Sequence, residues 1–480
     1  MSKNITIMQV NDSHGYLDLH QELFWAGDHA DYRKAGGYAR IATLLSEARR
    51  ERPGAVLAFD NGDTIHGTYA AVQTEGQALV PILNSLAFDA MTAHWEFAYG
   101  PQQFSKLAAE LPYPVLAINC YEKGNDQLVF EPYTILEAGG LRVGAIGLAA
   151  TIVDKVMPRS FSEGLYFTLG NEELPGYISR LRQEEKVDLV VVVSHLGFPQ
   201  EMKLASEVEG IDVLLSGHTH NRLYEPALVN DTIVIQSGCH GSFVGRLDLE
   251  MDAGRVVDWK HSLLVVREEI EPDAEVQELV EGALGPDCEK LSQVVGRSAT
   301  GLNRYTMLEA TMDNLLLQSL LDLTGAQMAF SNGWRYGAPI PPGEITLNDL
   351  WNVIPVNPPV STCNLTGEEL WSMMEENLER TFARDPYEQM GGYVKRCMGI
   401  NLYFKMENPE GHRIQELFVR GKRVQPRQVY DTVFVTSQGV PSKYGADRRA
   451  LEIDAIEALR RYLAGNALIE AELRGSIVAV

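Results

Sequence analysis

Cysteine is scarce in this chain. There are five in 480 residues (Cys120, Cys239, Cys288, Cys363 and Cys397), scattered, odd in number and without a Cys-x-x-Cys pair. That set reads as reduced thiols, not as a disulfide framework or a thiolate zinc site. Long apolar runs are also missing. No continuous apolar stretch approaches the roughly 18 residues of a membrane span. The first residues, Met1-Ser-Lys-Asn-Ile-Thr-Ile, lack the apolar segment of an export signal. Together these give the expectation of a cytoplasmic protein with no membrane attachment. Positive charge is in deficit: 41 Lys and Arg stand against 65 Asp and Glu, a formal net charge of −24. Such a surface repels nucleic acid and anionic lipid. A phosphate-like substrate would then need a local positive centre, and a metal ion is the simplest one. Glycine-rich stretches such as Gly36-Gly37 lack G-x-G-x-x-G or G-x-x-x-x-G-K spacing, so no dinucleotide or P-loop site is implied.

What is present is ordinary globular composition, 45% hydrophobic and 22% charged, in a length that suggests roughly two to three domains. The first half alternates short β-branched runs with amphipathic segments. Ile5–Val10, Ala55–Phe59, Val115–Ile118, Val143–Leu148, Leu189–Val193 and Val213–Leu215 read as buried strands. Helices are expected at Tyr38–Arg50, Gln77–Leu86, Pro101–Glu110, Glu173–Glu185 and Met202–Val208. Thr232–Gln236, Val244–Met251 and Val256–Leu264 read as an antiparallel closing section. The pattern predicts an α/β layered domain over residues 1–266. Residues 267–290 are acidic, with apolar residues near helical spacing, and read as a surface linker helix. A second, smaller α+β domain is expected over 291–480, with helices near Ala310–Leu323, Gly367–Thr381 and Ala455–Leu463. Its strands are expected near Gln327–Ser331, Ile400–Phe404, Ile414–Val419 and Thr432–Ser437.

The chemistry sits at the ends of the early strands. Ile5–Val10 runs into Asn11-Asp12-Ser13-His14-Gly15, and Ala55–Phe59 into Asp60-Asn61-Gly62-Asp63. The segment around Asp89 leads to His94-Trp95-Glu96; Leu189–Val193 ends in Ser194-His195-Leu196-Gly197, and Val213–Leu215 in Ser216-Gly217-His218-Thr219-His220. Ligands of open α/β sheets bind at carboxyl strand ends. Asp12, His14, Asp63, His94, His195, His218 and His220 are therefore expected to converge. Mixed carboxylate and imidazole sets suit divalent manganese, zinc, iron, cobalt or nickel. Seven ligands exceed the needs of one ion, and a carboxylate such as Asp63 can bridge two. A dinuclear pair favours hydrolysis of an oxyanion ester by a bridging hydroxide. His66 and His240, in neighbouring loops, read as solvated histidines, and Asn119-Cys120 as support behind the site.

These motifs, with Gly36-Gly37-Tyr38-Ala39-Arg40, resemble the metallophosphoesterase domain of the 5′-nucleotidase family. Ser331-Asn332-Gly333-Trp334-Arg335, Pro342–Thr346, Leu365–Leu370 and Gly391-Gly392-Tyr393 resemble that family's carboxy-terminal domain. The resemblance implies a four-layer αββα sandwich followed by the smaller α+β domain. It implies two divalent metals, manganese first among them. Asp12, His14 and His220 would hold one, His94, His195 and His218 the other, and Asp63 would bridge. It also implies a nucleotide-catabolic hydrolase acting on small phosphomonoesters such as nucleoside monophosphates. The expected state is a monomer or small homo-oligomer. Arg335 and Asn332 would serve catalysis and substrate binding, with Trp334 and Tyr387 as further substrate contacts.

Departures from the family pattern matter as much. The family's Gly-Asn-His-Glu-Phe-Asp segment is here Ala93-His94-Trp95-Glu96-Phe97-Ala98. His94 can replace the asparagine ligand. Trp95 and Ala98 replace the catalytic His–Asp dyad, and an indole offers one neutral N–H and no transferable proton. This segment, with 331–337 and 385–392, resembles the branch containing the dimanganese thiosulfohydrolase of sulfur oxidation. That branch gives a second reading, hydrolysis of a thiosulfonate whose thiolate leaving group needs little acid help. A third reading is a non-catalytic metal- and ligand-binding protein. The family's base-stacking ring is replaced by Val356, which has no π face.

Overall fold

The computed structural model describes residues 2–480. The chain divides into two compact units, Met1–Glu22 with Arg33–Pro286, and Leu23–Tyr32 with Asp287–Val480.

The first unit is built on two large sheets. One has the order Arg255–Val265, Phe243–Asp252, Lys3–Val10, Val56–Asp60, Ala90–Met91. The other runs Ala227–Val229, Thr232–Ile235, Val213–Leu215, Leu189–Ser194, Leu141–Leu148, Tyr133–Ala138. Their central pairings are parallel, with Ile7 beside Leu57, Val191 beside both Ala145 and Val213, and Val213 beside Ile233. The runs Val-Leu-Ala-Phe and Leu-Val-Val-Val-Val are apolar throughout because both faces of each sheet are covered. Ile5, Ile7, Leu57 and Phe59 of the first sheet share one buried cluster with Val143, Val191, Val193, Val213 and Leu215 of the second. Behind the second sheet, Val190, Val192 and Leu214 pack against the helices Leu174–Gln183 and Phe198–Glu207 through Ile178, Leu181 and Leu204. The first sheet is backed by the helix Tyr38–Glu51, which buries Ile41, Leu45 and Ala48. This is the αββα layering expected from the sequence.

Three expectations change. The segment 267–290 is not a free linker: its helix, Ala274–Leu284, packs on Tyr38–Glu51 with Val276 and Val280 buried, and belongs to the first unit through Pro286. Asp273 caps it, accepting a hydrogen bond from the Val276 N–H at 3.1 Å. Val115–Ile118 forms only single bridges, Met91 to Val115 and Leu116 to Glu131, because its neighbours end too soon for a ladder. An unforeseen hairpin joins His20–Ala26 to His29–Ala35, and its tip, residues 23–32, belongs to the second unit.

The second unit carries a five-stranded sheet ordered Arg396–Met398, Met328–Ser331, Val429–Phe434, Pro359–Thr366, Ala446–Asp454. A four-stranded sheet contains Lys422–Arg423, Ile414–Val419, Ile400–Phe404 and Ile477–Ala479. The helix Gly367–Phe382 buries Leu370, Met374 and Leu378 in the shared core. It starts at a reciprocal cap: Thr366 Oγ1 accepts from the Glu369 N–H at 3.2 Å and Glu369 accepts from the Thr366 N–H at 2.8 Å. Deep in this unit Asp313 sits 3.0 Å from the Arg304 guanidinium and 3.1 Å from that of Arg396. Among the described residues, no helix is long and apolar enough to cross a membrane. The five cysteines are unpaired.

Candidate metal centre

All five predicted ligand loops leave the carboxyl ends of strands in the first unit, and the seven predicted side chains come together. Their donor atoms form two overlapping sets, Asp12, His14, Asp63 and His220, and Asp63, His94, His195 and His218, each set spanning no more than 4.8 Å. Asp63 belongs to both. Its carboxylate lies 3.0 Å from His94 Nδ1, 3.2 Å from His195 Nε2 and 3.7 Å from His14 Nε2. Asp12 lies 3.3 Å from His220 Nε2, and its oxygens accept from the His218 N–H at 3.0 and 3.1 Å.

The backbone is bent to make this possible. Asp12, His14, Asp63, His218 and His220 all have φ between 51° and 69°. That left-handed region is costly for residues with a Cβ, and Asp and His are among those that enter it. Glycines take the tightest approaches. A Cβ at Gly62 (φ 86°) would meet the Thr92 carbonyl at 2.7 Å, and one at Gly217 would meet His195 Nδ1 at 2.9 Å.

Residues that the sequence reading passed over hold the ligands in place. Glu96 is fully buried and accepts the N–H groups of Thr64 and His94, each at 2.7 Å, tying the Asp63 loop to the His94 loop. Asn61 spans the strand ends: its Nδ2 donates to the carbonyls of Ser194 and Leu215 at 3.0 and 2.7 Å. Its own carbonyl lies 2.6 Å from His195 Nδ1. A proton held on Nδ1 by that carbonyl leaves Nε2 as the nitrogen that faces the carboxylates, where a cation would displace its proton. The local signal was there, since Glu96 stands two residues after His94 and Asn61 two before Asp63.

The electrostatics fit a cation. Burial alone would raise the Asp63 carboxyl, but the imidazoles of His94 and His195 hold it well below its usual range. Burial would likewise lower His195, yet Asp63 and Asp12 push it up to about 10. Burial takes His14 well below the usual histidine value. His14 Nε2 and His220 Nε2 face each other at 3.2 Å, a spacing natural for two lone pairs sharing one ion. His94 Nε2 is buried with no hydrogen-bond partner among the described residues. Seven nitrogen and oxygen donors, six on buried residues and one on the half-buried His220, suit two borderline divalent ions.

Trp95 takes the place where the resemblance would put a histidine. Its backbone N–H donates to Asp63 Oδ1 at 2.8 Å. Its ring stacks on His66, with centroids 4.6 Å apart and planes 9° from parallel, and meets Phe161 edge-on at 5.8 Å. His66 and His240 are not solvated, as expected from their loops, but buried at 1% and 2% exposure. Each is enclosed by other rings of the site, His66 by Trp95 and Tyr99, His240 by Tyr16 and His220. Asn119 bonds the loop at Ala149 and Thr168 and braces that loop, not a ligand. Cys120 is a buried thiol.

The remaining predicted residues belong to the second unit. Arg335 donates to the Gly392 carbonyl at 3.0 Å and lies 5.2 Å over the Tyr393 ring. Asn332 Nδ2 donates to Gln438 Oε1 at 3.1 Å. Trp334 is buried beside Tyr336, and Tyr387 is half-buried in the turn Pro386–Glu388.

Comparison with known proteins agrees with this assembly. Residues 294–437 match the sequence model of the 5′-nucleotidase C-terminal domain. The trifunctional nucleotide phosphoesterase YfkN of Bacillus subtilis is 26% identical over 462 residues, covering 86% of this chain and 30% of YfkN. This chain thus spans about a third of that relative's length. A snake venom 5′-nucleotidase of Naja atra is 25% identical over 87% of this chain and 85% of its own. Among solved structures, the Thermus thermophilus sulfate thiohydrolase SoxB superposes with a TM-score of 0.91 at 23% identity, over 99% of this chain and 96% of its own. At that identity the likeness to SoxB is one of fold. Over most of its length the chain is thus similar to proteins named 5′-nucleotidase and nucleotide phosphoesterase, and its residues 294–437 match the 5′-nucleotidase C-terminal domain.

Proposed function

We propose that this protein hydrolyses small phosphomonoesters, nucleoside monophosphates among them, at a centre of two divalent cations, manganese foremost. The observation that carries the reading is the pair of four-residue ligand sets sharing Asp63. Asp12, His14 and His220 would hold one ion, and His94, His195 and His218 the other. A cation pair so held lowers the pKa of water and neutralises the charge of the oxyanion. The protein's own part is orientation and exclusion of water. Asn61 and Glu96 keep the ligands aimed, the Trp95–His66 stack walls one side with apolar surface, and Asp63 stays ionised while buried. Arg335 is proposed as an anion-binding group of the second unit.

A second reading, hydrolysis of a thiosulfonate, is supported by one specific feature. Trp95 and Ala98 leave no acid at the dyad position, which a good leaving group tolerates and a sugar alkoxide does not. The two readings separate in one assay. Manganese-loaded protein is offered p-nitrophenyl phosphate, AMP and an S-sulfonated thiol (R–S–SO3⁻, cleaved by water to thiol and sulfate), with release of phosphate and sulfate measured. Phosphate release abolished by Asp63→Ala supports the first reading. Sulfate release with inert phosphoesters replaces it with the second.

A further inference from the structure

A third cluster of metal-ligating side chains lies in the first unit beside the centre just described. His20, Glu22 and His240 each offer a donor atom, and the three atoms lie within 4.8 Å of one another. We propose that these three residues form a third divalent-cation site, distinct from the Asp63-centred pair.

Four observations support it. First, the donors converge out of water. Glu22 and His240 are 0% and 2% exposed, and His240 Nδ1 lies 3.2 Å from Glu22 Oε2. The Asp63 carboxylate makes the same kind of contact with His94 Nδ1, at 3.0 Å. In both places carboxylate and imidazole face each other at a spacing that two ligands of one cation adopt. Second, the histidines are set up as ligands. His20 Nδ1 lies 3.0 Å from the Asp18 carbonyl and must donate to it, which leaves Nε2 as a lone pair, presently 3.0 Å from the Ser242 hydroxyl. Metal-binding histidines are held by this same outward N–H bond to a carbonyl. His240 Nε2 is buried and makes no hydrogen bond among the described residues. Third, His240 has φ 59°, in the left-handed region it shares with Asp12, His14, Asp63, His218 and His220. Backbone strain of this kind persists where the surroundings demand it, and it gathers at functional sites. Fourth, the topology is the same. His240 follows Thr232–Ile235, the strand that pairs in parallel with the Val213–Leu215 strand carrying His218 and His220. Its N–H donates to the Asp12 carbonyl at 2.7 Å.

One group opposes a cation. Arg222 Nη2 lies 2.8 Å from Glu22 Oε1. That contact is on Oε1, while Oε2 lies 3.2 Å from His240 Nδ1. Arg222 therefore weakens the site without blocking it. Two imidazoles and one carboxylate form a zinc-type ligand set with an open fourth position, and cobalt fits it equally. The His240 ring lies 6.3 Å from that of His14 and 6.2 Å from that of His220. A cation here would add positive charge beside His14 and His220.

The test counts cations on the full-length protein by equilibrium dialysis against cobalt(II), with circular dichroism to check folding. Wild type should take up three per chain, His240→Ala two, Asp63→Ala one, and the double variant none. Glu22→Gln, nearly isosteric, should also take up two. Arg222→Gln should bind the third ion about tenfold tighter, because a competing cation is gone. Two ions on wild type, both lost in Asp63→Ala, would overturn the third site and leave the dinuclear reading standing. A third ion indifferent to His240→Ala and Glu22→Gln would lie elsewhere and overturn it as well. Loss of the Asp63-dependent ions with the His240-dependent one retained supports the site even if the dinuclear pair has another role.

Discussion

Restoring a histidine and an aspartate where the family resemblance expects them is the sharpest probe of the reaction. The double change is Trp95→His with Ala98→Asp. Trp95–Tyr99 is a 3₁₀ turn, in which residues three apart eclipse. An aspartate at 98 would therefore stand over an imidazole at 95. The bond from the residue-95 N–H to Asp63 Oδ1, 2.8 Å, survives any substitution and anchors the new side chain next to the ligand loop. One well-placed donor is worth about 10²–10³ in rate, or roughly 3–4 kcal/mol of barrier. The gain should be larger for AMP than for p-nitrophenyl phosphate, because an alkoxide leaving group needs the proton and a nitrophenolate does not. The cost falls on packing: losing the indole that stacks on His66 and Phe161 removes at most about 3–5 kcal/mol, the value for full truncation of a buried tryptophan. The assay is manganese-dependent phosphate release, with thermal melts and metal content measured on the same samples. If the variant is folded and metal-loaded yet no faster on either substrate, the absent dyad does not limit phosphoryl transfer and the first functional reading fails.

Asp63→Asn should lose both ions of the centre and keep at most the one assigned to His20, Glu22 and His240, since it removes the only carboxylate common to both ligand sets; retention of either ion of the pair, by elemental analysis, would contradict the bridging role. Glu201 is fully buried, and burial pushes its carboxyl up from 4.5 to about 7 despite its bond from the Ser216 hydroxyl. Because the folded value exceeds the unfolded one, its contribution is complete below pH 4.5 and is lost as pH rises through 7. Glu201→Gln in chelator should flatten the pH dependence of urea stability between those limits by about 3 kcal/mol, and an unchanged slope would argue against a protonated Glu201. Asp313→Asn should destabilise the protein by about 3–5 kcal/mol, because Arg304 and Arg396, each 1% exposed at the side chain, would be left buried without their counter-charge; a melting temperature within a degree of wild type would refute that.

The layered half of the fold was legible because its strands are continuous apolar runs, and length together with flanking turns identified them. Leu189–Ser194 and Pro101–Glu110 fell where the pattern put them. The hairpin from His20 to Ala35 was not legible. His-Gln-Glu-Leu-Phe-Trp-Ala mixes polar and apolar residues because its far end belongs to a different unit from its beginning and only Glu22 and Leu23 are buried, which breaks any simple alternation. The same break hid Glu22 and His20, which have no motif and acquire meaning only beside His240. The acidic stretch before residue 291 looked like a linker because only Val276 and Val280 of its helix are buried, too few to mark a packed face. The ligands themselves were readable from their places after strands. Their supporting groups were not, since Asn61 and Glu96 act through backbone bonds that a one-dimensional pattern does not record.

Charge explains why imidazoles and carboxylates, not lysines, are gathered here. In an acidic chain, buried Asp12 and Asp63 make the centre negative, and burial keeps His14 neutral. An oxyanion approaching such a centre would be repelled. On the proposed reading two divalent ions would more than cancel the two carboxylates and turn the same residues into an anion trap, so metal loading and substrate affinity would be one property, not two. Trp95 and Ala98 sharpen the dependence. A histidine at 95 would supply a second, metal-independent source of positive charge and a proton. Its replacement by an indole stacked on His66, a ring that burial lowers to about 4 and so keeps neutral, leaves that wall uncharged. The burden of holding and activating the anion within the first unit then rests on the cations that the Asp and His loops are bent to receive.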